Sequence, residues 1–528
     1  MPLIQLAMRN FTVVAPDLAG YGNSWPLPIS TPTIADYAVD ICAFLDAVGI
    51  ARILLYGERE GAAVALEIAR HAPSRVAAFA ASELEIWTPQ DGDDGTDALK
   101  PFVPAWDGSH LTWLWAYLRE ENVFQPWWRK RLSARVADDM PTPPELHARV
   151  VQFLSGGSHG RGYELGLYAN LLFDPRPAVA ALNVPALFVC ARNFGRDQGL
   201  KLLEPLSSTS HTCVEGSPTA CFRSALSFLA SHCAALITPP APPRVKPIAD
   251  TLWSDFVAVP GGQLHFQCNS DANTIPILVQ HDAASSVGTV GPISRSIIGR
   301  RTVMAFDLPG SGESDDTLGD GILEVGAYAD VLAAGLKNLD LRRIDFYGMW
   351  GGGFVGLELA IRQPTLIRRL VMSNVFQHDG DLQHRLLAEY TPEIVPIWHG
   401  GHLMQCWHQM RDQGLYFPWF DAKSRSIVQR EPFLATDMIH ERTCSLLKAG
   451  NMYRTAYQSH FRYRTYDRLH HTSVPTVLAI RAGDPNNPRI EAAAQSAPHI
   501  ILRHLRPEFH QWGESFLDLL ESADRGPT

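Results

Sequence analysis

The chain has 528 residues, a net charge of -10 and a pI near 6.0. Its Lys and Arg residues are interspersed with acids, which argues against nucleic acid or an anionic membrane as a partner. The sequence has no apolar stretch long enough to cross a bilayer, no signal-peptide pattern at its start, and no C-x-x-C pair among its eight cysteines. We therefore expect a cytoplasmic protein without a metal, a cofactor or a disulfide framework.

The first informative element is an apolar strand followed by a tight turn and a helix. ILLY, from Ile53, leads into GEREG, from Gly57, and an Ala- and Val-rich helical pattern follows. This is the strand–turn–helix setting of the G-x-S-x-G nucleophile elbow. Arg59 stands where Ser, Cys or Asp would present a nucleophile, and a guanidinium cannot form an ester with a substrate.

Helical and proline-rich segments complete the N-terminal half. A Trp-rich helical segment, the first lid segment, extends from about residue 83 to 183. Strand patterns alternate with helical patterns in this half, which implies a parallel sheet covered on both faces. LITPPAPPRVKPIAD, from Leu236, carries five prolines and predicts a semi-rigid linker at 238–250.

The C-terminal half repeats this order at an offset of about 290 residues. RIDFYGMWGGGFVGLELAIRQP, from Arg343, pairs with RILLYGEREGAAVALEIARHAP, from Arg52. The repeat predicts a tandem duplication, with one domain at 1–237 and another at 251–528. The second domain has its own lid segment at about 374–472.

The two copies differ at the elbow and at their front ends. The second elbow reads GMWGG, from Gly348, so Trp350 occupies the nucleophile position and offers no nucleophile either. The first copy lacks roughly 40 residues ahead of Asp17 that the second copy has ahead of Asp307. These residues would include the strand that carries the oxyanion-hole loop.

Two D-L-x-G-x-G-x-S motifs, at Asp17 and Asp307, accompany the two elbows. With these motifs the chain resembles the α/β-hydrolase superfamily, in its cap-domain branch, as a tandem duplication with non-standard nucleophile elbows. The resemblance implies two tandem α/β-hydrolase-fold domains. Each would be a mostly parallel sheet with flanking helices and a helical lid, and the first would lack its N-terminal strands.

The same resemblance places the remaining catalytic positions. In the second copy the acid falls on Asp484, in IRAGDPNN, and the histidine falls on His510, in LRPEFHQWGES. The matching positions of the first copy are near Phe194 and Thr219. An Asp–His pair without a nucleophile can still act as a general base, because the carboxylate holds the imidazole in one tautomer and the other nitrogen takes the proton.

The oxyanion hole departs from the family pattern. The H-G motif becomes His281-Asp282, so a Cβ and a carboxylate stand where the backbone should approach the substrate. The backbone at Asp282, Ala283 and Gly351 is the candidate oxyanion hole. His281 and Trp350 are candidate substrate-binding residues. The alternative is that the indole of Trp350 fills a site that has no activity.

Both lid segments keep a common pattern. WHGGHL, from Trp398, matches WDGSHL, from Trp106, and Trp407 and Arg411 are four residues apart on one helix face. His402, Trp407 and Arg411 are candidates for recognising an anionic or polar substrate group. The alternative is that they fix the packing of the lid.

Three functions are compatible with the sequence. The first is an enzyme, a hydrolase or lyase-like, that acts on a small organic molecule through His510 and Asp484. The second is a non-catalytic pseudo-hydrolase that binds a ligand or serves as a scaffold, and the third is a serine hydrolase with its nucleophile displaced to Ser285 or Ser286. The Asp–His pair survives in one copy only, which favours the first function. The missing strands also predict that the two domains pack on each other.

Overall fold

The computed structural model of the protein describes residues 2–528 except for 137–138, 156, 192–195, 204–205, 207–209, 234–249, 270–274, 320, 322–323, 430, 433, 485, 498, 507–511 and 523–528. Side chains are described for the same residues other than 2, 157–162, 196–198 and 522. The predicted linker, 238–250, therefore lies outside the described residues apart from its last position.

The chain divides into two compact units. One unit comprises Met1–Ala105 and Ser109–Val245, and the other comprises Trp106–Gly108 and Lys246–Thr528. The predicted domain limits and the duplication itself stay predictions.

The first unit contains a sheet of four parallel strands within its described residues. Its strands are β1 (Ile53–Glu58), β2 (Val76–Ser82), β3 (Ala186–Ala191) and β4 (Ser210–Glu215), which lie side by side in that order. Its helices are α1 (Pro2–Ala7), α2 (Ile34–Ala47), α3 (Glu60–His71), α4 (Pro89–Ala98), α5 (Ser109–Glu120), α6 (Pro143–Leu154), α7 (Gly157–Leu171), α8 (Arg176–Ala180), α9 (Arg196–Leu203) and α10 (Pro218–Ala230).

The second unit contains an eight-stranded sheet within its described residues. Its strands are β5 (Trp253–Val259), β6 (Gly262–Cys268), β7 (Ile277–Gln280), β8 (Val303–Phe306), β9 (Ile344–Met349), β10 (Ile367–Ser373), β11 (Thr476–Ile480) and β12 (Ile500–His504). Its helices are α11 (Val287–Ile297), α12 (Val325–Asn338), α13 (Gly351–Arg362), α14 (Gly380–Glu389), α15 (Gly401–Asp412), α16 (Thr436–Ala449), α17 (Met452–Arg462), α18 (Thr465–Arg468), α19 (Asn487–Ser496) and α20 (Trp512–Ser522).

The strand order of the second sheet is β12–β11–β10–β9–β7–β8–β6–β5. The hairpin of β5 and β6 is antiparallel and pairs antiparallel with β8. All other neighbours in this sheet are parallel. The sheet is therefore mostly parallel, as predicted, and its central strands end at one common edge.

The described residues of the first unit contain no N-terminal strands ahead of β1, which confirms this part of the predicted fold. Residues 11–17, the counterpart of β8, form no strand in the first unit. In the second unit β8 pairs with β6 and β7, and the first copy has no sequence that corresponds to these two strands. A strand without neighbours leaves its backbone groups unpaired, so this segment stays irregular.

The turn that follows β8 has the same geometry in both units. Gly312 adopts φ 55°, and a Cβ there would lie 2.1 Å from Oδ2 of Asp307. Gly22 adopts φ 50°, and a Cβ there would lie 2.0 Å from Oδ2 of Asp17. Glycine is required at both positions, because other residues would clash with the carboxylate and would resist the left-handed backbone.

Apolar side chains account for the packing of helices on the sheets. Helix α13 is buried from Gly351 through Ala360, consistent with its Gly- and Leu-rich sequence. Glu358 is the buried charge in this helix, and its carboxylate accepts hydrogen bonds from Arg362, Arg468 and Tyr463. Within the described part of the chain, no helix combines the length and the hydropathy needed to cross a membrane.

Candidate active site

Both elbows keep the strained backbone of a nucleophile turn. Trp350 adopts φ 45° and ψ -123°, and Arg59 adopts φ 50° and ψ -119°. The N–H of Trp350 donates to the carbonyl of Ser373 (2.9 Å), and the N–H of Arg59 donates to that of Ser82 (3.0 Å). A large side chain is disfavoured at such φ values, so the surrounding structure holds both turns in place.

The position of the second elbow in its sheet decides the fold. An antiparallel hairpin leads into parallel strands, and β9, in the middle of the sheet, ends directly at the strained turn before α13. The chain is an α/β-hydrolase-fold protein. Among the described residues of the first unit, the four strands β1 to β4 align in sequence with β9 to β12, which form one side of that sheet.

No family model matches the sequence. The chain is similar to an uncharacterized protein of Mycobacterium tuberculosis, with 33% identity over 96 residues, which are 18% of this chain and 28% of that protein. It is also similar to a proposed carbamate hydrolase, RutD, of Agrobacterium fabrum, with 31% identity over 117 residues, which are 21% of this chain and 44% of that protein. Each match thus spans less than half of the relative's length.

Solved structures resemble about half of the chain. The enol-lactonase from Burkholderia xenovorans LB400 has 16% identity and a TM-score of 0.39, over 51% of this chain and 98% of the lactonase. A hydrolase from Pseudomonas aeruginosa PA01 has 18% identity and a TM-score of 0.38, over 51% of this chain and 96% of that protein.

The candidate oxyanion hole of the second unit is occupied by a carboxylate of the protein. The N–H of Gly351, directly after the elbow residue, donates to Oδ1 of Asp282 (2.9 Å). Ala283 follows Asp282 and is buried. Asp282 and Gly351, both predicted for this hole, therefore lie together, and they bond to each other.

His460, from lid helix α17, lies against the same carboxylate. Its Nδ1 is 3.4 Å from Oδ1 of Asp282, a contact that becomes an ion pair when the imidazole is protonated. A Cβ added to Gly351 would come within 1.9 Å of this Nδ1 and 2.6 Å of Oδ1 of Asp282. The glycine therefore leaves the space in which the two side chains meet.

His281 is buried and supports the loop that carries Asp282. Its Nδ1 donates to the carbonyl of Asp282 (2.7 Å), and its Nε2 accepts from the N–H of Leu308 (3.1 Å). Burial lowers the pKa of His281 below its usual value, and the carboxylate of Asp307 opposes that effect. The ring is thus neutral, with both nitrogens bonded to backbone groups, and the predicted contact of His281 with a substrate stays a prediction.

Asp484 is buried in the loop that follows β11, at the same edge of the sheet as the elbow. Its Oδ1 accepts from the N–H of Asn486 (2.9 Å). Its predicted partner, His510, lies outside the described residues. The Asp484–His510 pair therefore stays a prediction.

The indole of Trp350 is partly buried and packs against the apolar core between the sheet and α11 and α20. Part of its surface remains exposed at the elbow. This placement is compatible with both a pocket wall and a plug.

Two of the three lid residues predicted to contact the substrate have polar contacts within the lid, and the third is buried. Trp407 is fully buried, and His402 is buried with Nδ1 3.4 Å from the N–H of Ile397. Arg411 pairs with Asp412 (3.1 Å). A contact of these residues with a substrate stays a prediction.

The displaced-nucleophile alternative falls on a helix cap. Oγ of Ser286 accepts from the N–H of Gly288 (3.2 Å) at the start of α11, and it lies 2.9 Å from Oγ of Ser445. Ser285 is buried beside it. Ser286 thus has a local capping role.

The elbow of the first unit carries a group of charged and phenolic side chains. Arg59 lies 3.8 Å from Glu121, and Glu60 accepts from the hydroxyl of Tyr21 (3.2 Å). Burial and, next, the carboxylate of Glu85 raise the pKa of Glu60 to about 7, although Tyr21 opposes this. Arg59 thus contributes a partner for Glu121 in place of a nucleophile.

Two side chains that sequence reasoning missed follow β10 in the second unit. Asn374 has φ 52° and is 2% exposed, and His378 is also 2% exposed. In the described structure neither amide atom of Asn374 and neither ring nitrogen of His378 has a hydrogen-bond partner. The one available signal was the position of Asn374 at the carboxyl end of a strand beside the elbow strand.

Proposed function

We propose that the C-terminal unit is a hydrolase or lyase-like enzyme that acts on a small organic molecule without a covalent enzyme intermediate. His510 would act as the general base and Asp484 would hold it in the active tautomer. The observation that carries this proposal is the hydrogen bond from Gly351 to Asp282. In acyl transfer this N–H has to stabilise an oxyanion, and a carboxylate already bonded to it would repel that charge.

The proposed chemistry needs only a proton acceptor and a bound substrate. Asp484 would accept a hydrogen bond from the Nδ1–H of His510, so that Nε2 could take a proton from water or from an acidic C–H or O–H of the substrate. The carboxylate in the oxyanion hole favours proton transfer from the substrate, because that route can avoid a tetrahedral oxyanion. A similarity to a proposed carbamate hydrolase supports a small organic substrate, and eight free cysteines support the cytoplasm as its location.

The test combines two variants with a covalent probe. Turnover is measured on a panel of small esters, lactones and amides, together with small carbonyl compounds that carry an acidic C–H, because the favoured proton transfer acts on the latter. His510→Ala should slow turnover by about 10²–10⁴-fold, and Asp484→Asn should slow it strongly as well. Thr219→Ala, at the matched position of the first copy, should leave the rate unchanged. A serine-directed phosphonate should label no serine of the second unit.

Two outcomes would contradict this mechanism. One is full activity of the His510→Ala variant. The other is stoichiometric phosphonate labelling of a serine in the second unit, together with loss of activity, which would restore the displaced-nucleophile alternative.

A ligand-binding pseudo-hydrolase is the second candidate. It is favoured by the indole of Trp350, which packs against the core at the position where a nucleophile would be exposed. Saturable binding without turnover of any compound in the panel would support this alternative.

A further inference from the structure

The loop from Asn374 to His378 carries buried polar side-chain atoms that have no hydrogen-bond partner in the described structure. Asn374 is 2% exposed, and both Oδ1 and Nδ2 lack a hydrogen-bond partner in the described structure. An amide buried in this way costs free energy that a fold normally recovers by hydrogen bonding. The residue also holds φ at 52°, a left-handed value that sets the direction of its side chain.

His378 repeats the same feature four residues later. It is 2% exposed, and neither Nδ1 nor Nε2 has a hydrogen-bond partner in the described part of the chain. Its ring stacks on Phe376, with centroids 4.8 Å apart and planes at 16°. Burial, followed by the nearby charge of Arg489, lowers the pKa of His378 to about 4, so the ring is neutral and offers one donor and one acceptor.

Hydrogen bonds to neighbouring segments hold the backbone of this loop in place, so a loosely held backbone does not explain why the polar atoms are unpaired. Oε1 of Gln377 accepts from the N–H of Tyr466 (2.9 Å), and the carbonyl of Gln377 accepts from Arg489 (3.1 Å). Asn374 donates its own N–H to the carbonyl of Ala479 (3.4 Å). The backbone is thus held from both sides while the two polar side chains stay unpaired.

The loop belongs to the same edge of the sheet as the elbow. Ser373, at the end of β10, accepts the N–H of Trp350. Phe376 packs edge-on against Phe354 of helix α13 (4.8 Å), and Phe354 packs edge-on against His460 (5.7 Å). Successive ring contacts from Phe376 through Phe354 to His460 therefore connect the loop to the Asp282–Gly351 contact.

In the first unit, the residue that corresponds to Asn374 makes a hydrogen bond within the fold. Glu83, which corresponds to Asn374 in the repeat, has φ 55° and is also buried. Its carboxylate accepts the N–H of Ala191 (2.7 Å), in the strand next to its own. The matched backbone position is thus bonded internally in one unit and presents unused amide atoms in the other.

We propose that Asn374 and His378 form a recognition site for an uncharged, planar group of amide type in the substrate of the second unit. This inference rests on the proposed function and names its substrate class. Asn374 offers an amide NH₂ donor group and a carbonyl acceptor, and neutral His378 offers one donor and one acceptor, so neither brings a charge. That set matches an amide, lactam or urea group, whereas a carboxylate requires donors and an ammonium requires acceptors.

The experiment measures binding of benzamide to the full-length protein by calorimetry, with benzoate and benzylamine as charged compounds of similar shape. The wild type should bind benzamide saturably and at least roughly tenfold more tightly than either charged compound. Asn374→Asp and His378→Phe should each weaken benzamide binding by roughly tenfold. Asn338→Asp, on the exposed face of α12, is the matched control and should bind like the wild type.

Several outcomes would overturn the inference. These are no saturable benzamide binding by the wild type, equal binding of benzamide and benzoate, or wild-type affinity in both site variants. The wild-type comparison of the three compounds stays decisive even if a variant fails to fold. His510→Ala should still bind benzamide, so loss of the recognition site and failure of the proposed mechanism give different results.

Discussion

His378 is a buried histidine that the fold keeps neutral, and this predicts a defined dependence of stability on pH. Its pKa is about 4 in the folded protein, because burial and the charge of Arg489 disfavour the imidazolium, against an ordinary value of 6.5. Between these two values the unfolded chain binds the proton more readily than the folded chain. Stability from this group is therefore fully present above pH 6.5 and is lost as the pH falls towards 4.

The size of the effect follows from the same two values. At about 1.4 kcal/mol per pH unit, the interval from 6.5 to about 4 corresponds to about 3 kcal/mol. About 2 kcal/mol of this should be lost between pH 7 and pH 5. The variant His378→Phe retains the stacked ring and has no proton to bind, so it should not show this loss.

Urea unfolding, followed by tryptophan fluorescence and circular dichroism, measures the difference. The free energy of unfolding of His378→Phe, relative to the wild type, should rise by about 2 kcal/mol when the pH is lowered from 7 to 5. His384→Gln, which removes an exposed histidine of the same lid segment, should follow the wild-type curve. Parallel pH curves for His378→Phe and the wild type would refute the assignment of a buried neutral ring.

Two further predictions concern the elbows. Gly352→Ala should destabilise the protein by about 1–3 kcal/mol, because its Cβ would lie 2.5 Å from the carbonyl oxygen of His281. The matched Gly61→Ala should be neutral or should stabilise the protein by up to about 1 kcal/mol, since nothing lies within 4 Å of that Cβ. Equal losses of unfolding free energy for the two variants, measured by urea unfolding, would contradict this difference between the two units. The pKa of Glu60 is about 7 in the folded protein, against an ordinary value of 4.5, so the wild type loses stability as the pH rises from 4.5 to 7. Glu60→Gln should therefore raise the melting temperature at about pH 8 and change it less at about pH 5. An unchanged difference between the two pH values would count against a buried acid at Glu60.

Features that depend on residues adjacent in the chain could be predicted from the sequence. The elbows at Arg59 and Trp350 were predictable because strand, turn and helix are adjacent in the chain and each has a local pattern. The absence of N-terminal strands from the first unit was equally readable, since the two halves could be aligned and one had no residues for β6 and β7. The helices within residues 83–183 and 374–472 were predictable for the same reason, whereas their role as lids stays a prediction.

The surroundings of the elbow in the second unit depend on contacts between distant segments, and the sequence did not predict them. The carboxylate of Asp282 reaches the N–H of Gly351, and His460 meets it from a lid helix that is distant in sequence. The unpaired atoms of Asn374 and His378 were equally hidden, because hydrogen bonding depends on every element packed around a side chain. The spacing of residues in the sequence specifies local geometry. Contacts between the strand ends and a lid helix depend on how distant segments pack, and no local sequence pattern encodes that packing.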